Sequence, residues 1–109
     1  MKTLIIATIA VATFAGAAHA ASGVSNLEYL QAARCRGLAV SEGLGKLDTA
    51  AIDALLKAEG GPRELGVKTS AANKIAAATK EGDKAEGAKK EKLLAERQGE
   101  CGVWLNGGK

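Results

Sequence analysis

The feature that most constrains this chain is its two cysteines, Cys35 and Cys101, set 66 positions apart. Two cysteines allow one intramolecular pairing, and in an oxidising compartment a disulfide is the default state of such a pair. The chain-entropy treatment assigns about 4.4 kcal/mol to a loop of this length. That is a large share of the roughly 5–15 kcal/mol that holds a small domain folded. Catalytic dithiols sit close in sequence, as in C-x-x-C, and two thiolates supply only half a zinc shell. A structural bridge is therefore expected.

The start of the chain names the compartment. Lys2 gives a positive lead, Leu4 to Ala15 is uncharged and largely apolar, and Ala18-His19-Ala20 is a small-x-small cleavage site. Residues 1–20 are expected to be a signal peptide and residues 21–109 a single small helical domain. The apolar run falls short of the ~20 residues a spanning helix needs, and no cysteine follows it to carry a lipid. The expected product is periplasmic or secreted, with no membrane anchor after signal cleavage.

Losing the leader changes what chemistry is on offer. Met1, Phe14 and His19 go with it, so the remaining chain has no imidazole and only two aromatic residues, Tyr29 and Trp104. Triads and dyads built on histidine are excluded. The 12 acidic residues are dispersed along polar faces, whereas glycosidase chemistry needs two carboxylates flanking a cleft. No catalytic, cofactor-binding or metal-ligating residue is assigned, and no enzyme activity is expected. The formal charge of +3 drops by one with Lys2. No basic face accumulates of the kind that binds nucleic acid, and none is expected as a partner.

Along the chain the pattern is helical. Ser25 and Glu28 form a capping box, and from Asn26 to about Ser41 the residues Leu27, Leu30, Cys35 and Leu38 share a stripe. Arg34 lies inside that stripe and reads as a snorkelling side chain, against the alternative of a buried arginine awaiting a carboxylate. Glu42-Gly43-Leu44-Gly45 is a break, with the glycine spacing of a phosphate loop incomplete. Asp48 reads as the N-cap of a second helix, with Leu47 and Ile52 as a hydrophobic staple. Ile52, Leu55 and Leu56 form its apolar face. Gly60-Gly61-Pro62 ends it through a left-handed glycine cap and a proline that cannot continue.

Residues 63–81 read as helix with Leu65, Ala72, Ile75, Ala76 and Thr79 on one stripe. Lys80 to Lys92 has no large apolar residue and reads as a solvated helix or a partly disordered link, with Glu86 and Lys90 as an i, i+4 pair. Leu94, Cys101 and Leu105 then align, flanked by Leu93 and Trp104. Gly99 marks a break, and residues 106–109 read as a frayed end. No alternating strand pattern occurs.

These readings give an all-α fold, a small bundle of three to four short helices closed by one disulfide. The segment after the leader holds 21 apolar residues larger than alanine, counting both cysteines. That is a thin core, and much of the cohesion is assigned to the bridge. Arg34, Tyr29 and Trp104 are the candidate partner contacts, because arginine and large aromatics concentrate binding energy; for the two aromatics a core or core-edge place is the leading reading. In gross plan the chain is similar to the acid-stress chaperones of Gram-negative periplasms. The segment Cys101-Gly102-Val103-Trp104-Leu105-Asn106-Gly107 distantly resembles the C-x-G-Y-I-x-G element of helical immunity proteins paired with secreted peptidoglycan amidases, with Val103 where that element has glycine. The expected role is a non-enzymatic periplasmic binding or stress-protection protein with a protein partner. The alternative is an inhibitor or immunity protein for a secreted effector.

Overall fold

The computed structural model describes residues 23–108. The expected signal peptide, residues 1–20, lies outside the described residues. Five helices follow one another: α1 (Asn26–Val40), α2 (Ala50–Gly60), α3 (Leu65–Lys84), α4 (Gly87–Gln98) and the single turn α5 (Gly102–Leu105). No strand occurs among the described residues. The all-α bundle closed by one bridge is thus observed, with Cys35 and Cys101 bonded and their Cα atoms 5.4 Å apart, as a disulfide requires.

Helix α1 starts where its capping box dictates. The Ser25 hydroxyl accepts from the Glu28 amide, and the Glu28 carboxylate accepts from the Ser25 amide, which satisfies two otherwise unpaired donors. The helix then runs through the middle of the bundle, so burial is not confined to a single stripe. Tyr29, Ala32, Ala33, Cys35, Gly37, Leu38 and Ala39 are all buried. Leu27, expected on the stripe, is 67% exposed. Neighbours surround α1 along Cys35–Ser41 but not around Leu27.

Helices α1 and α3 pack directly on each other and run parallel, and α2, which joins them in sequence, runs antiparallel to α1. Tyr29 and Ala33 cluster with Ala71. Further along, Gly37 meets Ile75 and Ala78, and Ser41 meets Gly82. The Arg36–Asp53 and Tyr29–Gly60 contacts set the reverse direction of α2. The α1–α3 interface uses smallness. A Cβ on Gly37 would stand 2.4 Å from the Ile75 carbonyl oxygen, and one on Gly82 would stand 2.5 Å from Ser41 Oγ. Both glycines let the backbones approach, and both helices give up propensity, about 1 kcal/mol per glycine, in return.

This contact corrects part of the expected α3 stripe: Ile75 and Thr79 do face α1, Thr79 donating to the Gly37 carbonyl at 3.1 Å, but the rest of the face is different. The inward face is Ala71, Ile75, Ala78 and Gly82, while Leu65, Ala72 and Ala76 are exposed. Of the two readings for Lys80–Lys92, solvated helix or partly disordered link, the helical one holds, apart from a short break at residues 85–86. Glu86 is the residue before α4, and its i, i+4 partner Lys90 joins it through the backbone, Lys90 N–H donating to the Glu86 carbonyl.

Three ends differ in detail. Thr49, not Asp48, is the residue before α2, and the Asp48 carboxylate caps from one position earlier by accepting from the Ala50 amide. Ile52 is fully buried but Leu47 is exposed. Gly61 is right-handed, not left-handed; the glycine need lies at Gly60, where a Cβ would sit 2.6 Å from the Tyr29 hydroxyl. The tail is not frayed at residues 106–108. Gly107 N–H donates to Trp104 O, Gly108 N–H donates to Val103 O, and Gly107 has φ +81°. This is a Schellman cap on α5.

Candidate functional site

The described surface has one cleft that gathers several of the singled-out residues. It holds about 350 Å³ and is lined by Gln31, Arg34 and Cys35 of α1, Glu96 of α4, Glu100, and Trp104 of α5. The bridge builds it. Cys101 is the residue before α5, so its bond to Cys35 brings that turn against α1 and stands the half-buried Trp104 at the cleft wall.

Arg34 crosses the cleft floor, and it is not a snorkelling side chain. Its Nε and Nη2 donate to the two oxygens of Glu96 at 2.7 and 2.9 Å, a two-pronged fork, and Nη1 donates to Glu81 Oε1 at 2.9 Å. Lys89 Nζ reaches the other Glu81 oxygen at 3.2 Å. One guanidinium therefore ties α1 to α3 and α4. Its planar donors match carboxylates in a way an ammonium does not. The Glu96 hydrogen bond leads in raising the Arg34 pKa further above its ordinary value, and the Arg34 hydrogen bond leads in holding the Glu81 carboxyl below the usual range. Glu81, in the segment read as solvated, is thus structural.

Asp83 shows the same point. It accepts from the Ser41 hydroxyl at 2.7 Å and from the Gly43 amide at 3.1 Å. These bonds, the Gly43 amide first, lower its pKa. They fasten the Glu42–Gly45 turn to the end of α3, so the glycine-rich break serves as a docked turn.

Sequence reasoning passed over Arg97. It is 7% exposed, and its guanidinium donates to three carbonyls: Leu38 and Gly45 from Nη1 at 3.1 and 2.7 Å, and Leu44 from Nη2 at 2.9 Å. Burial pushes its pKa down. Leu38 lies in the last turn of α1, where unpaired carbonyls and the helix dipole favour a cation. The signal was available, since Leu93, Arg97 and Cys101 repeat at i, i+4, i+8 and place the arginine on the apolar stripe.

Tyr29 stands apart from the cleft. It is buried at 6% exposure, with the Arg63 guanidinium 4.8 Å over its ring. Arg63 also donates to the Glu59 carbonyl at 2.8 Å, to Asn26 Oδ1 and to the Val24 carbonyl. Glu59 and Arg63 are four apart but straddle the Gly-Gly-Pro break, so helix spacing gave no reason to pair them. The structure therefore brings together Arg34, Cys35, Cys101 and Trp104, and leaves Tyr29 in a separate cluster.

Among the described residues no helix is long and apolar enough to cross a membrane, and the cysteines at disulfide distance fit an oxidising setting. Comparison with protein-family models, with curated proteins and with solved structures finds no match.

Proposed function

We propose that this is an exported, non-enzymatic binding protein of the periplasm or the extracellular space, and that it protects unfolded client proteins under acid stress. The observation that carries the reading is the cleft beside the bridge, where half-buried Trp104 faces Arg34. An aromatic and an arginine at the centre of a concavity are the residue types that anchor protein partners. The arginine's charge is already taken up by Glu81 and Glu96, which suits it to holding shape and contact more than to transferring protons. Acid weakens the Arg34–Glu81 pair while the Cys35–Cys101 bond still ties α1 to the last helical turn, so low pH enlarges the accessible apolar surface.

The test is aggregation of an acid-unfolded client with and without the oxidised protein, from pH 7 to about pH 3, across the carboxylate range. Suppression that appears below about pH 4 and falls in Trp104→Ala is expected. Client aggregation unchanged at every pH sinks the reading.

A second reading has its own support. The segment 101–107, which resembles the immunity-protein element, is the part of the chain that puts Trp104 into the cleft. An inhibitor of a secreted effector would use the same wall. Protection of cells against an effector encoded beside the gene, lost in Trp104→Ala, is its expected signature.

A further inference from the structure

The cleft does not end at Arg34. A second hollow of about 140 Å³ is lined by Leu27, Leu30, Gln31 and Arg34 of α1 and by Lys74 of α3. It shares Gln31 and Arg34 with the first, so the two hollows adjoin along α1 as a groove in two parts, one reaching Leu27 and the other Trp104. Its floor, Leu27, Leu30, Gln31 and Arg34, repeats at i, i+3, i+4 and i+7, the spacing of one helix face. The groove exists because the bundle is incomplete there. Helix α4 meets α1 through Glu96 and Arg97, at Arg34 and Leu38, and the bridge closes at Cys35. Among the described residues nothing takes the place of α4 beside Leu27, which is 67% exposed. The open stretch is about two helical turns long.

The walls carry opposite charges. Lys74 stands on the α3 side, and residues 65–80 contain no acidic residue. Glu100 stands on the other side beside Glu96. Glu96 is occupied by Arg34, whereas neither Lys74 nor Glu100 has an ion-pair partner among the described residues. We infer that this groove docks an amphipathic helix of a partner protein, its apolar face on Leu27, Leu30 and Trp104, an acidic flank toward Lys74 and a basic flank toward Glu100. The helix completes the bundle where α4 stops short. This rests on the binding role proposed above and names the form of the partner.

Trp104 is the chain's only tryptophan, so its emission reports occupancy of one end of the groove. The probe is a synthetic amphipathic peptide of about four helical turns, with leucines at i, i+3, i+4 and i+7, glutamates on one flank and lysines on the other. Saturable change of Trp104 emission is expected with the oxidised protein at neutral pH. Leu27→Glu weakens binding at least about tenfold, a loss typical of an anchoring contact. Leu65→Glu, at a 76% exposed leucine outside the groove, leaves affinity within about twofold. The double variant Lys74→Glu/Glu100→Lys weakens this peptide and restores binding to one with its flanks exchanged.

No emission change at saturating peptide overturns the inference, as does equal loss in Leu27→Glu and Leu65→Glu. A wild-type dimer in sedimentation that Leu27→Glu dissociates also overturns it, since the groove then seats a second copy. If the peptide fails while acid-unfolded clients are still protected, the groove assignment falls and the binding role stands. If both fail, both fall.

Discussion

The two ends of this bundle are held by different means. At the bridged end, Cys35, Leu38, Leu44, Ile52, Ala78, Leu93 and Cys101 form one buried cluster, with the disulfide through it and Arg97 and Arg34 beside it. At the open end the buried cluster is Tyr29, Ala33 and Ala71, overlaid by Arg63 and with no covalent link. The first end brings together four segments distant in sequence. The second brings together α1, α3, the last turns of α2 through Leu56 and Gly60, and the α2–α3 turn. The difference teaches how a thin core is made to suffice. Where few large side chains are available, backbone carbonyls and carboxylates are gathered by arginines, and a covalent bond limits the freedom of the unfolded chain.

The largest effect should come from breaking the bridge. Cys35→Ala/Cys101→Ala removes a constraint of about 4 kcal/mol, measured as the change in unfolding free energy from urea curves, with a steeper slope for the variant because its unfolded chain is more expanded. Protection from amide exchange should fall first in α4 and α5 and last around Tyr29. Equal loss at both ends would show that the two clusters form one cooperative unit.

Next in size is Arg97→Leu. It fills similar space but leaves the carbonyls of Leu38, Leu44 and Gly45 without that donor in a buried site, at a cost of about 3 kcal/mol. Arg63→Leu, at the open end, should cost about 1–2 kcal/mol, because its partners lie nearer water and part of its hold is the Tyr29 ring. Thermal unfolding of the two variants compares the ends directly. Equal losses would mean that Arg97 is no better embedded than Arg63.

Two glycines sharpen the same contrast. A methyl at Gly82 would meet Ser41 Oγ at 2.5 Å and Leu44 Cδ1 at 3.0 Å, and Ser41 is fully buried and bonded to Asp83. Gly82→Ala should therefore cost about 1–2 kcal/mol, overpacking offset in part by better helix propensity. A methyl at Gly60 meets only the tip of the Tyr29 side chain, its hydroxyl at 2.6 Å, which a small tilt of the ring relieves without breaking a bond like Ser41–Asp83. Gly60→Ala should cost less than about 1 kcal/mol. The check is a pair of chemical denaturation curves.

How much of this was legible depended on range. The Ser25–Glu28 box was legible because both partners lie within four residues. The Cys35–Cys101 bridge was legible because only one pairing exists. The α3 face was misread, because the pattern was weighed by hydrophobic size while the contact selects the small side chains that fit Gly37 and Ser41. Arg34 was noticed on its stripe, but its carboxylates lie 47 and 62 positions away, and charge alternation around Glu81 gave no hint that one of those acids faces inward. Arg97 carried the same stripe signal. Its partners are carbonyls, which every residue has and no sequence pattern marks. The cleft itself was illegible, since it is the space left by the crossing of α4 over α1.

The smallest effect is set by acid, and it too divides the ends. Glu81, Asp83 and Asp53 have native pKa values below their ordinary ones, held down first by Arg34, by the Gly43 amide and by Arg36 respectively. A carboxyl depressed in the folded state binds its proton more readily when unfolded. Its stabilising contribution is therefore complete above the ordinary carboxylate range, about pH 4, and is lost as pH falls through the lower native value. Two of the three, Glu81 and Asp83, fasten the last turns of α3 to α1, α4 and the Glu42–Gly45 turn, all at the bridged end. The midpoint temperature should hold steady from neutral pH to about pH 5 and then fall. In Glu81→Gln/Asp83→Asn it should begin lower and fall less steeply, because two of the titrating contacts are already gone. The wild-type and variant curves should converge below the ordinary carboxylate range, once pH has fallen through the lowered native values. Parallel curves would place the acid sensitivity elsewhere. Convergence would mean that acid removes these carboxylate ties from the bridged end and leaves it held by the disulfide, the buried cluster and the Arg97–carbonyl bonds, a loosened state in which a protective protein would offer more of its apolar surface.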